Sequence, residues 1–124
     1  MISTHRSNDC GNSPKNSHVE ELTLSLLAKE FDDFKEIKDS ETAFIVQFED
    51  KLNIVSNLDE YKKTMPDRIE KIDFKHSISH GKVGASWGSF KANKHTYMFS
   101  VNIEFNNVKL SKPTVIQILI SAPI

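Results

Sequence analysis

With 124 residues, 38% hydrophobic and 27% charged, the chain is long enough for one domain with a sizeable core and has the balance of an ordinary globular protein. No apolar run approaches the roughly 20 residues that a membrane-spanning helix needs, so none is expected. The net charge of −1 hides an asymmetry, because residues 1–70 carry nine basic and fifteen acidic side chains and residues 71–124 carry seven and two. An acidic and a basic side are expected if the two halves form separate layers.

Residues 1–16 are rich in Ser, Asn and charge, with too few apolar groups to offset the entropy of ordering them, and read as a flexible polar tail ahead of a single domain spanning 17–124. This leader has no apolar stretch before a small-residue cleavage site, and it holds the one cysteine, Cys10. No secretory signal and no internal disulfide are therefore expected, and a reducing, cytoplasmic location follows. Ser17 and Glu20 have the spacing of a capping box. The helix that follows is expected to run to about Lys38, with Val19, Leu22, Leu26, Leu27, Phe31, Phe34 and Ile37 on its apolar face.

Ala43–Phe48 and Leu52–Val55 read as a hairpin around the polar Glu49-Asp50-Lys51. Ser56 or Asn57, the latter with Glu60 three residues on, can cap a short helix through Thr64 that ends before Pro66. Ile72–His80 alternates, which puts Ile72, Phe74, His76, Ile78 and His80 on one face. In the next strand Val83, Ala85 and Trp87 form the apolar side, while Gly84 and Gly88 point to a bulge or a close approach by another backbone. The clearest strand is Thr96–Phe105, whose Tyr97, Phe99, Val101, Ile103 and Phe105 alternate with Met98, Ser100, Asn102 and Glu104. Val115–Ile120 is apolar on both faces, as suits an inner strand or an oligomer contact. Helices and strands are segregated, so the expected fold is α+β, a long N-terminal helix packed on an antiparallel sheet of five or six strands.

No constellation of reactive side chains emerges. His76 and His80 lie four apart on a strand, about 13 Å, too far to share a metal, and no second cysteine or compact carboxylate cluster joins them. No catalytic residue, metal or cofactor is assigned, and His76, between Phe74 and Ile78, reads as a core histidine. Gly81, Gly84 and Gly88 lack the spacing of a phosphate-binding loop. Between Phe74 and Ile103 there are four lysines, three histidines and no acid, interleaved with aromatics. Lys75, Lys82, Lys91 and Lys94 with Trp87 are thus an alternative nucleic-acid site, although the scarcity of arginine argues against it. A metal-independent RNase using two of His76, His80 and His95 is a further alternative.

The expected function is a non-enzymatic protein-binding module of the inhibitor, immunity-protein, adaptor or chaperone kind, acting through a charged surface or a sheet edge. The acidic helix face, with Glu20, Glu21, Asp32, Asp33, Glu36 and Asp39, is the candidate contact for a basic partner. Self-association through the C-terminal strand is a second expectation.

Overall fold

Residues 2–8, 13–31 and 42–124 are described by the structure, a computed structural model. The first helix, α1 (Pro14–Ala28), begins a turn earlier than the capping-box spacing suggests. Ser13 is extended and its Oγ accepts from the Asn16 amide at 3.3 Å, while Pro14 occupies the first turn, where its missing amide costs nothing. Ser17 is already inside the helix, donating its amide to the Ser13 carbonyl at 3.0 Å.

Helix α1 also stops well short of Lys38. Lys29 takes a left-handed conformation, φ 61°, and both it and Glu30 return their amides to the Ser25 carbonyl. Tertiary contacts hold that end in place. The buried Tyr61 hydroxyl donates to the Leu26 carbonyl at 2.6 Å, and the Lys29 ammonium donates to the Met65 carbonyl at 3.0 Å and to the Asp67 carboxylate at 2.8 Å. Burial pushes the Tyr61 phenol well above its ordinary value. The Lys29 hydrogen bond and charge hold the exposed Asp67 carboxyl below its own. Phe31 is buried as expected; Phe34 and Ile37 lie outside the described residues.

After α1 come the hairpin strands β2 (Ala43–Phe48) and β3 (Lys51–Val55), then α2 (Leu58–Thr64). Asn57 caps α2 by accepting from the Glu60 amide at 2.9 Å, as its spacing implies. The long strands β4 (Ile69–His80), β5 (Val83–Ala92) and β6 (His95–Phe105) form a meander, and β7 (Pro113–Ile120) follows. Ser3–His5, within the expected tail, forms β1 and pairs with Lys71–Asp73.

The seven strands make one sheet in the order β1-β4-β5-β6-β7-β2-β3. The expectation of a purely antiparallel sheet of five or six strands is corrected here, since β1 runs parallel to β4 and β2 runs parallel to β7. Strand β7 lies between β6 and β2, which explains why it is apolar on both sides. Its pairing Ala43↔Val115 joins segments about 70 residues apart, beyond the reach of any local pattern.

Both described helices lie on one face of the sheet. On this covered face Val101, Ile103, Ile116 and Ile118 are buried with Val19, Leu22, Leu26 and Leu27 of α1. Rings fill the space: Phe90 stacks on Tyr97 at 5.2 Å, Phe74 meets Phe99 edge-on at 5.7 Å, and Tyr61 of α2 stacks on Phe44 at 4.9 Å. All five apolar positions of the organising strand β6 are buried, as its alternation implies.

Strand β4 departs from its apparent period. A register shift between Phe74 and His76 puts an extra residue into β4, so the side chains beyond it change face. Ile72 and Phe74 point into the core; His76, Ile78 and His80 do not, and Ser77 is buried in their place. His76 is therefore an exposed side chain beside Trp87, with rings 5.2 Å apart, and not the core histidine that the alternation implies. Gly88 is the counterpart of the bulge, because a Cβ there would run into the Asp73 carbonyl. Gly84 lies beneath Val19 and lets α1 approach the sheet.

Candidate functional site

The face of the sheet opposite the helices is covered by no described element. Its composition follows from the register. Ile78, Ala85, Asn102, Gln117, Ile45 and Ile54 form one row across β4, β5, β6, β7, β2 and β3. His76, Trp87, Ser100, Leu119, Gln47 and Leu52 form the row on one side of it, and His80, Val83, Glu104, Val115 and Ala43 the row on the other. Large aliphatic side chains stand in water here. Ile54 is 73% exposed and Leu52 61%, and Ile78, Val83 and Met98 are about half exposed.

A groove of about 430 Å³ runs along this face between Ile78, Val83 and Ala85 on one side and Ile45 and Val115 on the other, with Asn102 and Gln117 between them and His80 and Glu104 at one end. Its surface is mostly apolar. His80 and Glu104 stand two strands apart, about 10 Å, which is too far for a direct proton relay. Exposed aliphatic side chains gathered on one uncovered face make it a candidate binding surface.

The candidates read from the sequence fare differently. Of the acidic helix face, Glu21 is described and exposed, whereas Asp32, Asp33, Glu36 and Asp39 lie outside the described residues, as does Cys10. Glu20 does not belong to that face. It is fully buried, and its carboxylate accepts from the Arg6 Nε at 2.8 Å, the Ser7 amide at 3.3 Å and the Ser77 hydroxyl at 3.0 Å, with Ser86 a further 2.7 Å from Ser77. This network ties the segment after β1 to α1 and β4, and a carboxylate so enclosed has no surface to offer a substrate. Sequence reasoning missed it because Glu20 and Ser77 are 57 residues apart.

Lys75, Lys82, Lys91 and Lys94 are all exposed, but they do not gather. Lys82 and Lys94 sit in the turns at opposite ends of β5, about 30 Å apart, and Trp87 is half-buried between them on the open face. The three histidines do not converge either. His80 is level with Val83 and His95 with Ala92, at opposite ends of β5, again about 30 Å apart. Among the described residues, no three His, Cys, Asp or Glu side chains are grouped to hold a metal ion, and no helix is long and apolar enough to cross a membrane.

Solved structures provide the comparison for this architecture. The chain superposes on an NTF-2 like protein of unknown function from Burkholderia xenovorans with a TM-score of 0.62 at 16% identity, covering 87% of this chain and 86% of that one. A candidate SnoaL-like polyketide cyclase from Shewanella putrefaciens gives 0.63 at 11% identity, covering 90% of this chain and 82% of that one. The fold is NTF2-like. In this chain the NTF2-like fold comprises the mixed seven-stranded sheet with α1 and α2 on one face, and at such low identity the likeness extends to the fold alone. No family profile matches the sequence, and no curated protein matches it.

Proposed function

We propose that this chain is a protein-binding module that works through the open face of its sheet. The carrying observation is the set of exposed aliphatic side chains on this face, Val83 and Ile78 at one end and Leu52 and Ile54 at the other, with a mostly apolar groove between Ile78, Val83 and Ile45. Burying such side chains against a partner is worth about 25 cal/mol per Å² before association costs, so the free face is a store of binding energy. The opposite side of the sheet supports the same reading. It is filled by Phe74, Phe90, Tyr97 and Phe99 and by α1 and α2, and Glu20, the one buried carboxylate among the described residues, is fully engaged. Neither the sheet edges nor the acidic helix face offers an equal surface among the described residues.

The test is a pull-down with the tagged full-length chain from a lysate of its source cells, treated with nuclease, at about 150 mM salt, where long-range charge effects are screened. A stoichiometric protein partner is expected, retained by the wild type and lost by Ile54→Glu and Ile78→Glu. Recovery of nucleic acid alone before nuclease treatment, released as salt is raised, would overturn the reading and favour the lysines of β4 and β5.

A further inference from the structure

We infer that the chain binds a small aliphatic carboxylate in a cleft between its N-terminal segment, the end of α1 and the approach to β4, with Arg68 holding the carboxylate. This site lies on the helix side of the sheet and is independent of the open face. The cleft has a volume of about 220 Å³ and three walls: Ile2, just ahead of β1; residues 27–29 at the end of α1; and residues 66–69 between α2 and β4. Leu27 and Ile69 are buried, and Ile2 is partly buried against the core, so these three give the cleft an apolar lining.

Charge decides the head group. Lys29 and Asp67 satisfy each other at 2.8 Å, and the Lys29 ammonium also donates to the Met65 carbonyl at 3.0 Å, so this pair is closed. Lys29 thereby also compensates the negative end of α1. Arg68 is left over. It is exposed, and among the described residues nothing accepts a hydrogen bond from its guanidinium and no carboxylate forms an ion pair with it. The Asp67 carboxyl is held below its ordinary value by the Lys29 hydrogen bond first and by the Arg68 charge least, so Arg68 is not its principal partner. Two cations and one carboxylate line the cleft, and the surplus positive charge is balanced by a monoanion. A planar carboxylate matches the guanidinium fork with two parallel hydrogen bonds.

The backbone supplies a second observation. Lys29 and Arg68, both lining the cleft, are left-handed, with φ of 61° and 62°, a conformation that glycine adopts without the Cβ clash. For Lys29 the side chain explains the choice, because its ammonium holds Met65 and Asp67. Glu49, Asn93 and Lys94 share that conformation in the turns of the β2–β3 and β5–β6 hairpins, which call for it, and Leu110 is buried. Arg68 stands in no hairpin and its side chain makes no contact that repays the strain, which points to a ligand. The walls set the tail. Apolar groups of three segments converge beside the guanidinium, and the volume, below the roughly 300 Å³ of a drug-sized site, suits a chain of about six carbons. Because Ile2 is one wall, an occupant also holds down β1, a strand of three exposed residues.

The experiment is amide NMR of the full-length chain titrated with hexanoate, with hexylamine as the charge-reversed probe and acetate as the probe without a tail. Hexanoate is expected to shift the amides of Ile2, Ala28, Arg68 and Ile69 saturably, with a midpoint of about 1 mM for a ligand of about eight non-hydrogen atoms. At about 10 mM it should slow hydrogen exchange at Ser3–His5 about tenfold, since opening that segment dismantles the site. Acetate should bind at least about tenfold more weakly, Arg68→Gln should weaken hexanoate at least about tenfold, and Arg68→Lys, which keeps the charge without the fork, about threefold. Arg68→Gly relieves the left-handed backbone, so it should melt no lower than the wild type and bind no hexanoate. The absence of a saturable shift with hexanoate overturns the inference, as does hexylamine binding at the same amides or acetate binding as tightly as hexanoate. An Arg68→Gly variant that melts lower overturns it too, because the side chain would then serve the fold.

Discussion

Replacing Tyr61 by Phe removes one oxygen and nothing else, which makes it a sharp probe of how the two helices are joined. The hydroxyl donates at 2.6 Å to the Leu26 carbonyl, one of the last carbonyls of α1, which have no partner within the helix. Both groups are buried, and the ring itself stays stacked on Phe44 at 4.9 Å, so the variant opens no cavity. The cost is that of a buried acceptor left unsatisfied, about 1–2 kcal/mol, or roughly 4–8 °C in Tm for a domain of this size. The pH dependence has a definite sign. Burial raises the Tyr61 pKa in the folded state, so its contribution is complete below about pH 10 and is lost as pH rises above that value, where the unfolded phenol ionises first. That loss approaches about 1.4 kcal/mol for each further pH unit, so the gap between wild type and Tyr61→Phe should close near pH 11. Urea unfolding at about pH 7, 10 and 11 measures it. A variant within about 0.3 kcal/mol of wild type at pH 7, or a gap unchanged up to pH 11, would refute the account.

Two further perturbations test other joints of the fold. Gly88→Ala puts a Cβ against the Asp73 carbonyl at the β4 bulge and should cost about 2 kcal/mol or more, seen as a lower urea midpoint; a neutral result would mean that the strands can part there freely. Arg6→Ala leaves the Glu20 carboxylate buried without its cation. Because Arg6 is itself 38% exposed, the loss should be about 2 kcal/mol rather than the larger cost of splitting a fully buried pair. Adding Glu20→Gln should then be less damaging than it is alone, which a double-mutant cycle reads directly.

Much of the local structure was legible from periodicity and capping. The alternation in Thr96–Phe105 identified the core face of β6, and Asn57 with Glu60 located α2, because both signals are complete within ten residues. Gly88 announced a close backbone approach for the same reason: the missing side chain is visible even when the neighbour is not.

Tertiary contacts decided what the local pattern could not. The apolar periodicity of α1 continues past Ala28, but the left-handed turn at Lys29, with that end of the helix held by Tyr61 and Met65, is fixed by groups over thirty residues away. One extra residue in β4 moved His76, Ile78 and His80 to the open face, which no count of alternating residues detects. The candidate site is the largest instance. Val83, Ala85 and Trp87 on one side, and Ile45 and Leu52 on the other, are recognisably apolar in the sequence. Whether an apolar face meets the helices or the solvent depends on which side of the sheet the helices occupy. The sequence by itself determined most of the strands, the caps and the core of β6, because those rest on neighbours along the chain. The insertion of β7 between β6 and β2, and with it a single open face of mixed aliphatic and polar side chains spanning six strands, exists only once segments about 70 residues apart have paired.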